Sequence, residues 1–238
     1  MKMLKKERYS FEDLKEIMRI LRSDKGCPWD KEQTHESIRN NFIEEVYEAI
    51  EAIDDNDPEL LKEELGDVLL QVVFHAQIGS ESGEFDIGDI CDEICKKLII
   101  RHPHIFSDKI IADNSEQVLL NWENIKIKEK GYSDTKEYIE STAKSLPALM
   151  RAEKIQKRFT KRKVTEKLNP EDIINKLKED LNELEMAKSK NSNINSEMIG
   201  RTLYDIVSLA NSYNISSEQA LYNFNKKIIK IMLKIQNF

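Results

Sequence analysis

Apolar residues recur along most of the chain at spacings of three and four, the pattern of helices that turn one face inward. Leu14, Ile17 and Leu21 form such a stripe behind Ser10, with Asp13 placed to complete a capping box. After a break at Gly26-Cys27-Pro28-Trp29-Asp30, a second helix is expected from about Thr34 to Ile53. Its inward positions are Ile38, Phe42, Val46, Ala49 and Ile53. A turn over Asp54 to Asp57 leads into a third helix, with Asp57 as cap and Pro58 at the first helical position. That helix is expected to reach about Ile78, with Leu61, Leu65, Val68 and Val72 inward, and a loop follows from Gly79 to Gly83. A fourth helix is capped by Asp86 and striped by Ile90, Ile94 and Leu98. It stops at His102-Pro103, because the residue before proline disfavours helix. Further helices are expected over Ser115 to Lys130, Pro147 to Arg162, Pro170 to Lys190, Ser196 to Ser212 and Ser216 to Gln236. A polar linker is expected from Gly131 to Ser145.

Composition agrees with an all-α protein. The 238 residues include only 7 Gly and 5 Pro, too few for many short strands and turns. The charged fraction of 34% implies wide solvated faces, and a net charge of −7 argues against general nucleic-acid binding. The basic residues around Met150, from Lys144 to Lys163, read as a solvated helix. The longest apolar stretch, Val68 to Ile78, is interrupted by Gln71, His75 and Gln77 and is too short to span a bilayer. The N-terminal MKMLKKERYSFEDL lacks the apolar core of a signal peptide. Three cysteines, Cys27, Cys91 and Cys95, form no disulfide framework and fit a reducing compartment. With no second ligand pair near Cys91 and Cys95, zinc is not expected. These features together predict a cytoplasmic protein with no membrane and no nucleic-acid partner.

A faint internal repeat runs through the chain. Glu44-Glu45-Val46-Tyr47-Glu48 is echoed by Glu179-Asp180-Leu181-Asn182-Glu183, at an offset of 135 residues. Gly66, Leu69, Val72, Val73 and Ala76 match Gly200, Leu203, Ile206, Val207 and Ala210, at an offset of 134. A near-constant offset across two helices favours duplication over chance.

The candidate chemistry lies in the first copy. Glu45 and Glu48 are three apart on one helix, Glu64 and Asp67 three apart on the next, and the connecting turn is short. Antiparallel neighbours would bring the four carboxylates to similar depth. In a chain one-third charged, Glu at such spacings is ordinarily a solvated face. Two features argue otherwise. Glu64 and Asp67 sit in the helix with the longest apolar run, where buried carboxylates need partners or a metal. Gly66 sits within the motif, at a cost of about 1 kcal/mol relative to Ala, which a close helix approach would justify. Oxygen donors without sulfur or clustered histidine suit Mg²⁺, or Mn²⁺ in its place. Lys97 and Arg101, four apart, are candidates to meet an anionic substrate, although basic residues near a helix C-terminus also favour its dipole. Trp29 is a candidate to stack on a base; the plainer expectation is a buried anchor under the proline turn. No GxSxG elbow, Walker loop, GxGxxG or His-Asp metal signature is present.

Several motifs in order carry a resemblance. Gly26 to Thr34, Glu44-Glu45-x-x-Glu48 with Glu64-x-x-Asp67, and Arg101-His102-Pro103-His104-Ile105-Phe106 come first. Asn121-Trp122-Glu123 and Leu146 to Ala152 follow. Together they resemble the MazG-type nucleoside triphosphate pyrophosphohydrolases, over residues 10 to 160 and weakly to the end. The resemblance implies an all-α fold of two tandem modules, usually a homodimer and four-helix-bundle-like when dimerised. It implies Mg²⁺-dependent hydrolysis of nucleoside triphosphates, NTP or dNTP, to monophosphate and pyrophosphate. It assigns Glu45, Glu48, Glu64 and Asp67 to metal, aligns Glu44 with the first Glu of the motif, and places Lys97 at a basic position. Glu44 is the candidate to orient or deprotonate the attacking water.

The second copy departs from that pattern. Met198 and Arg201 stand where Glu64 and Asp67 stand in the first, and neither is a Mg²⁺ ligand. The stretch Phe159 to Lys163 also lacks the family's turn there. The expected organisation is therefore a catalytic module over 1–130, a linker and basic helix over 131–165, and a degenerate module over 166–238. The alternative is a non-catalytic helical interaction protein on the same scaffold.

Overall fold

The computed structural model describes residues 5–107, 114–132, 134–166, 169–189 and 194–236. Met1 to Leu4 and Lys190, which figure in the sequence reading, lie outside them. Among the described residues every regular element is a helix: α1 (Phe11–Leu21), α2 (Pro28–Glu32), α3 (Arg39–Asp54), α4 (Pro58–Ser82), α5 (Ile87–Arg101), α6 (Pro103–Phe106), α7 (Ser115–Lys130), α8 (Thr135–Glu140), α9 (Ala148–Lys161), α10 (Pro170–Ser189), α11 (Ser196–Ser212) and α12 (Ser217–Gln236). They divide into two compact units, Met1–Trp122 and Glu123–Phe238.

Capping side chains set several helix starts. Ser10 and Asp13 form the expected capping box, and Asp86 with Asp89 forms a second one at α5. Asp57 accepts from the backbone N–H groups of Glu59 and Leu60. Each such cap contributes about 1 kcal/mol. Two boundaries differ from expectation. α3 begins at Arg39 and not near Thr34, because Thr34 and Ser37 bond to each other's backbone N–H, at 2.9 and 3.2 Å. Hydroxyls that engage the backbone in this way compete with the helical ladder. α4 runs through the expected loop to Ser82, and Gly83 ends it in the left-handed conformation at φ 71°. Gly79 lies within α4, and its missing Cβ leaves room for Phe85, whose ring a Cβ there would meet at 2.9 Å.

In the N-terminal unit α3 packs along α4, and α1 and α5 pack on α4. Met18, Ile38, Val73 and Phe74 form the core, with Leu14, Leu70 and Ile78 against it. The buried faces match expectation only in part, with Ile38 and Ala49 buried as their spacing predicts. Ala49 and Ala52 are the buried positions of α3, whereas Val46 and Ile53 are exposed. Leu65 on α4 and Ile94 and Leu98 on α5 are exposed as well. The sequence stripes therefore mark apolar faces, of which the single chain buries only some.

Arg22 holds the turn before α3 in place. Its Nε and Nη2 donate to the two oxygens of Glu81, the closest approach being 2.7 Å. Its Nη1 donates to the carbonyls of Asp30 at 2.5 Å and Gln33 at 3.1 Å. The guanidinium also lies over Phe74, 5.3 Å from the ring centroid. Beside it His35 and His75 stack, their Nδ1 atoms 2.7 Å apart, so one of the two nitrogens carries the shared proton.

The C-terminal unit repeats this plan. α10 packs on α11 as α3 does on α4, and α9 packs on α11 as α1 does on α4; α12 joins α9 and α11. The polar stretch 131–145 contains α8, whose Tyr138 is only 1% exposed. Arg158 stacks on the Tyr138 ring at 4.4 Å and donates to its carbonyl.

Candidate active site

Glu45 and Glu48 lie one turn apart on α3, and Glu64 faces them from α4. The short turn at Asp55 to Asp57 folds α4 back along α3, which aligns the two acidic stretches. One oxygen from each of Glu45, Glu48 and Glu64 lies within 4.8 Å of the others. Glu45, Glu64 and Asp67 are half-buried and Glu48 is exposed. Asp67 stands outside that trio but within its field, since its charge acts on both Glu45 and Glu64. Glu44 is exposed, next to Glu45 and one turn before Glu48 on α3.

The electrostatics are those of a cluster short of positive charge. Burial raises the Glu45 carboxyl above its ordinary value, and the charges of Asp67, Glu48 and Glu44 raise it further. Burial likewise raises Glu64, reinforced by Glu48, Asp67, Glu63 and Glu45. Desolvation and like-charge repulsion both disfavour the ionised forms, and a divalent cation between the oxygens would reverse that balance. The donors are all hard oxygens, which fits Mg²⁺ or Mn²⁺ and disfavours zinc. The residues present therefore fit a divalent cation.

The other expected site residues have partners of their own. Lys97 pairs with Glu93 at 2.5 Å, one turn back on α5. Arg101 lies over the Trp122 ring, 5.1 Å from its centroid. Trp29 is not the buried anchor favoured on sequence: its side chain is 57% exposed, because Arg22 holds the α2 turn through the carbonyls of Asp30 and Gln33 and leaves the indole outside. Gly66 does not serve a close helix approach either; a Cβ there would meet nothing within 4 Å. Arg22 itself escaped the sequence reading, because an arginine at a helix end reads as an exposed dipole partner.

In the second unit the same helix pair carries a different balance. Arg201 Nε donates to Asp180 Oδ1 at 2.7 Å, and its Nη2 donates to Glu183. Half of the expected carboxylates remain, and a cationic side chain sits on them.

Comparison with known proteins follows the same lines. Residues 33–106, which contain the whole carboxylate cluster, match the family described as the MazG nucleotide pyrophosphohydrolase domain. The nucleoside triphosphate pyrophosphohydrolase/pyrophosphatase MazG of Thermotoga maritima is 42% identical over 226 residues, 95% of this chain and 85% of that protein. The nucleoside triphosphate pyrophosphohydrolase of Escherichia coli K12 is 41% identical over 217 residues, 89% of this chain and 81% of that protein. The uncharacterised protein YabN of Bacillus subtilis is 49% identical over 149 residues, 63% of this chain but 30% of YabN.

Proposed function

The chain belongs to the MazG family of nucleoside triphosphate pyrophosphohydrolases and is an enzyme of that class, and we propose that it hydrolyses NTPs and dNTPs to monophosphate and pyrophosphate at Glu45, Glu48, Glu64 and Asp67, with Mg²⁺. The observation that carries this reading is the convergence of three carboxylates from α3 and α4 within 4.8 Å. Glu45, Glu48 and Glu64 would hold the cation, with Asp67 completing the set. When bound, the cation neutralises phosphate charge and acidifies a coordinated water.

The chain's own groups supply the rest. Water oxygen bonds to the α-phosphorus, the bond from that phosphorus to the bridging oxygen breaks, and pyrophosphate leaves with the electron pair. Glu44, outside the trio and exposed on the same helix, takes the water's proton. Lys97 and Arg101 offset the charge of the departing pyrophosphate, Lys97 by exchanging Glu93 for a phosphate oxygen. Trp29 presents an exposed indole on which a base can stack.

Activity belongs to the first unit, since Met198 and Arg201 replace two of the four carboxylates in the second. A homodimer fits the exposed apolar residues of the N-terminal unit: Val46 and Tyr47 on α3, Leu65 and Leu69 on α4, Ile94 and Leu98 on α5. A cytoplasmic location fits three cysteines that are all free. No helix among the described residues is long and apolar enough to cross a membrane. The reaction is tested by separating the phosphate products of an NTP and dNTP panel with Mg²⁺ and with EDTA. Metal-dependent monophosphate and pyrophosphate are expected. Diphosphate with orthophosphate would mean that a different bond is cut.

A further inference from the structure

The internal repeat aligns Asp180 and Glu183 of α10 with Glu45 and Glu48 of α3. On the facing helices it aligns Met198 with Glu64 and Arg201 with Asp67. The two helix pairs are packed alike but solve their charge problem differently. In the first, Glu45, Glu48 and Glu64 crowd one carboxylate oxygen each within 4.8 Å of the others. In the second, a guanidinium reaches across from α11 and engages both acids of α10: Asp180 Oδ1 accepts from Arg201 Nε at 2.7 Å, and Glu183 accepts from its Nη2.

Asp180 is buried, yet its second oxygen, Oδ2, has no hydrogen-bond partner. Buried carboxylate oxygens are normally satisfied. A carboxylate engaged through one oxygen by a side chain from the opposite helix fits a position once satisfied by a different cation. Arginine is well suited to replace one. It stays charged at any working pH, presents a fork of donors, and is held permanently in the chain.

We propose that Arg201 is a built-in substitute for the divalent cation of the first unit. It closes the second carboxylate pair to metal and clamps α10 to α11 without one. Met198 and Arg201 are then the two substitutions that separate a metal-demanding site from a self-neutralised one. This rests on reading Glu45, Glu48 and Glu64 as a cation site. It goes further in making the two halves interconvertible.

The test exchanges the two residues between halves and reads metal directly, by Mn²⁺ titration followed by EPR, with circular dichroism to follow folding. In a Glu48→Gln/Glu64→Gln background, adding Met198→Glu and Arg201→Asp is expected to create one new Mn²⁺ site per chain. Its melting midpoint is expected to fall in EDTA and to recover with Mn²⁺. The reciprocal chain, Glu64→Met/Asp67→Arg, is expected to lose Mn²⁺ binding while melting in EDTA no lower than wild type. It serves as an independent test should the first variant fail to fold. If wild type binds Mn²⁺ but the folded exchange gains none, or if the reciprocal chain keeps its Mn²⁺, the substitution idea is overturned and the first site stands. If wild type binds no Mn²⁺ at all, the cation reading of the first unit falls, and this proposal with it.

Discussion

Glu45 on α3 and Glu64 on α4 bring carboxylate oxygens within 4.8 Å of each other, and burial together with neighbouring acids raises the pKa of both. Holding these groups close costs free energy in the absence of a cation, and that cost is what divalent binding would recover.

A pH dependence follows. Both groups hold protons more tightly when folded than in the unfolded chain, where the ordinary value is 4.5. Their repulsion is therefore absent below that value and fully present above the raised folded values. Stability attributable to the pair falls as pH rises through that window. Urea melts in EDTA should show Glu64→Gln gaining on wild type as pH rises from acid to neutral. With saturating Mg²⁺ the order should reverse, since metal competes best where protons are scarce.

Glu44 and the trio separate kinetically. Glu44→Gln should lower kcat by about 100-fold, in the range of general-base catalysis, while leaving the Mn²⁺ dissociation constant near that of wild type. Loss of Mn²⁺ affinity in the same variant would make Glu44 a ligand instead.

Arg22 is a structural prediction. Replacing it with Met removes all three bonds to Glu81 and leaves the carbonyls of Asp30 and Gln33 without this donor. A buried guanidinium pair whose acid is partly exposed should be worth about 2–3 kcal/mol, read as a lower urea midpoint. The α2 turn should loosen with it, and amide exchange near Trp29 should accelerate.

Trp29→Ala tests the exposed indole. An exposed side chain removed from the surface should change stability by under about 0.5 kcal/mol. Lost base stacking should raise KM several-fold with kcat little changed, reflecting about 1–3 kcal/mol per stacked base as an upper bound. An unchanged KM would remove Trp29 from the substrate site.

These residues also show where sequence is informative and where it stops. Helix starts at Ser10, Asp57 and Asp86 were readable because capping is local chemistry carried by the side chain itself. The convergence of Glu45, Glu48 and Glu64 was readable because a short turn between two amphipathic helices leaves little freedom. Burial of individual faces was readable only in part, as at Ile38 and Ala49. Val46, Ile53 and Leu65 have the right periodicity yet are exposed, since spacing identifies a stripe without saying what covers it. The roles of Arg22 and Arg201 were out of reach for another reason. Arg22 meets Glu81, and Arg201 meets Asp180 and Glu183, only after the chain has folded.

The most direct test of the account compares Glu64→Gln with Glu183→Gln in one assay, measuring pyrophosphate release from NTPs in Mg²⁺. Removing a metal-ligating carboxylate should cost at least on the order of 100-fold in turnover, beyond the range seen for groups that only support ligands. Glu64→Gln should therefore abolish pyrophosphate release, while Glu183→Gln should retain turnover close to wild type. Intact turnover in Glu64→Gln with loss in Glu183→Gln would contradict the assignment and place the chemistry in the second unit.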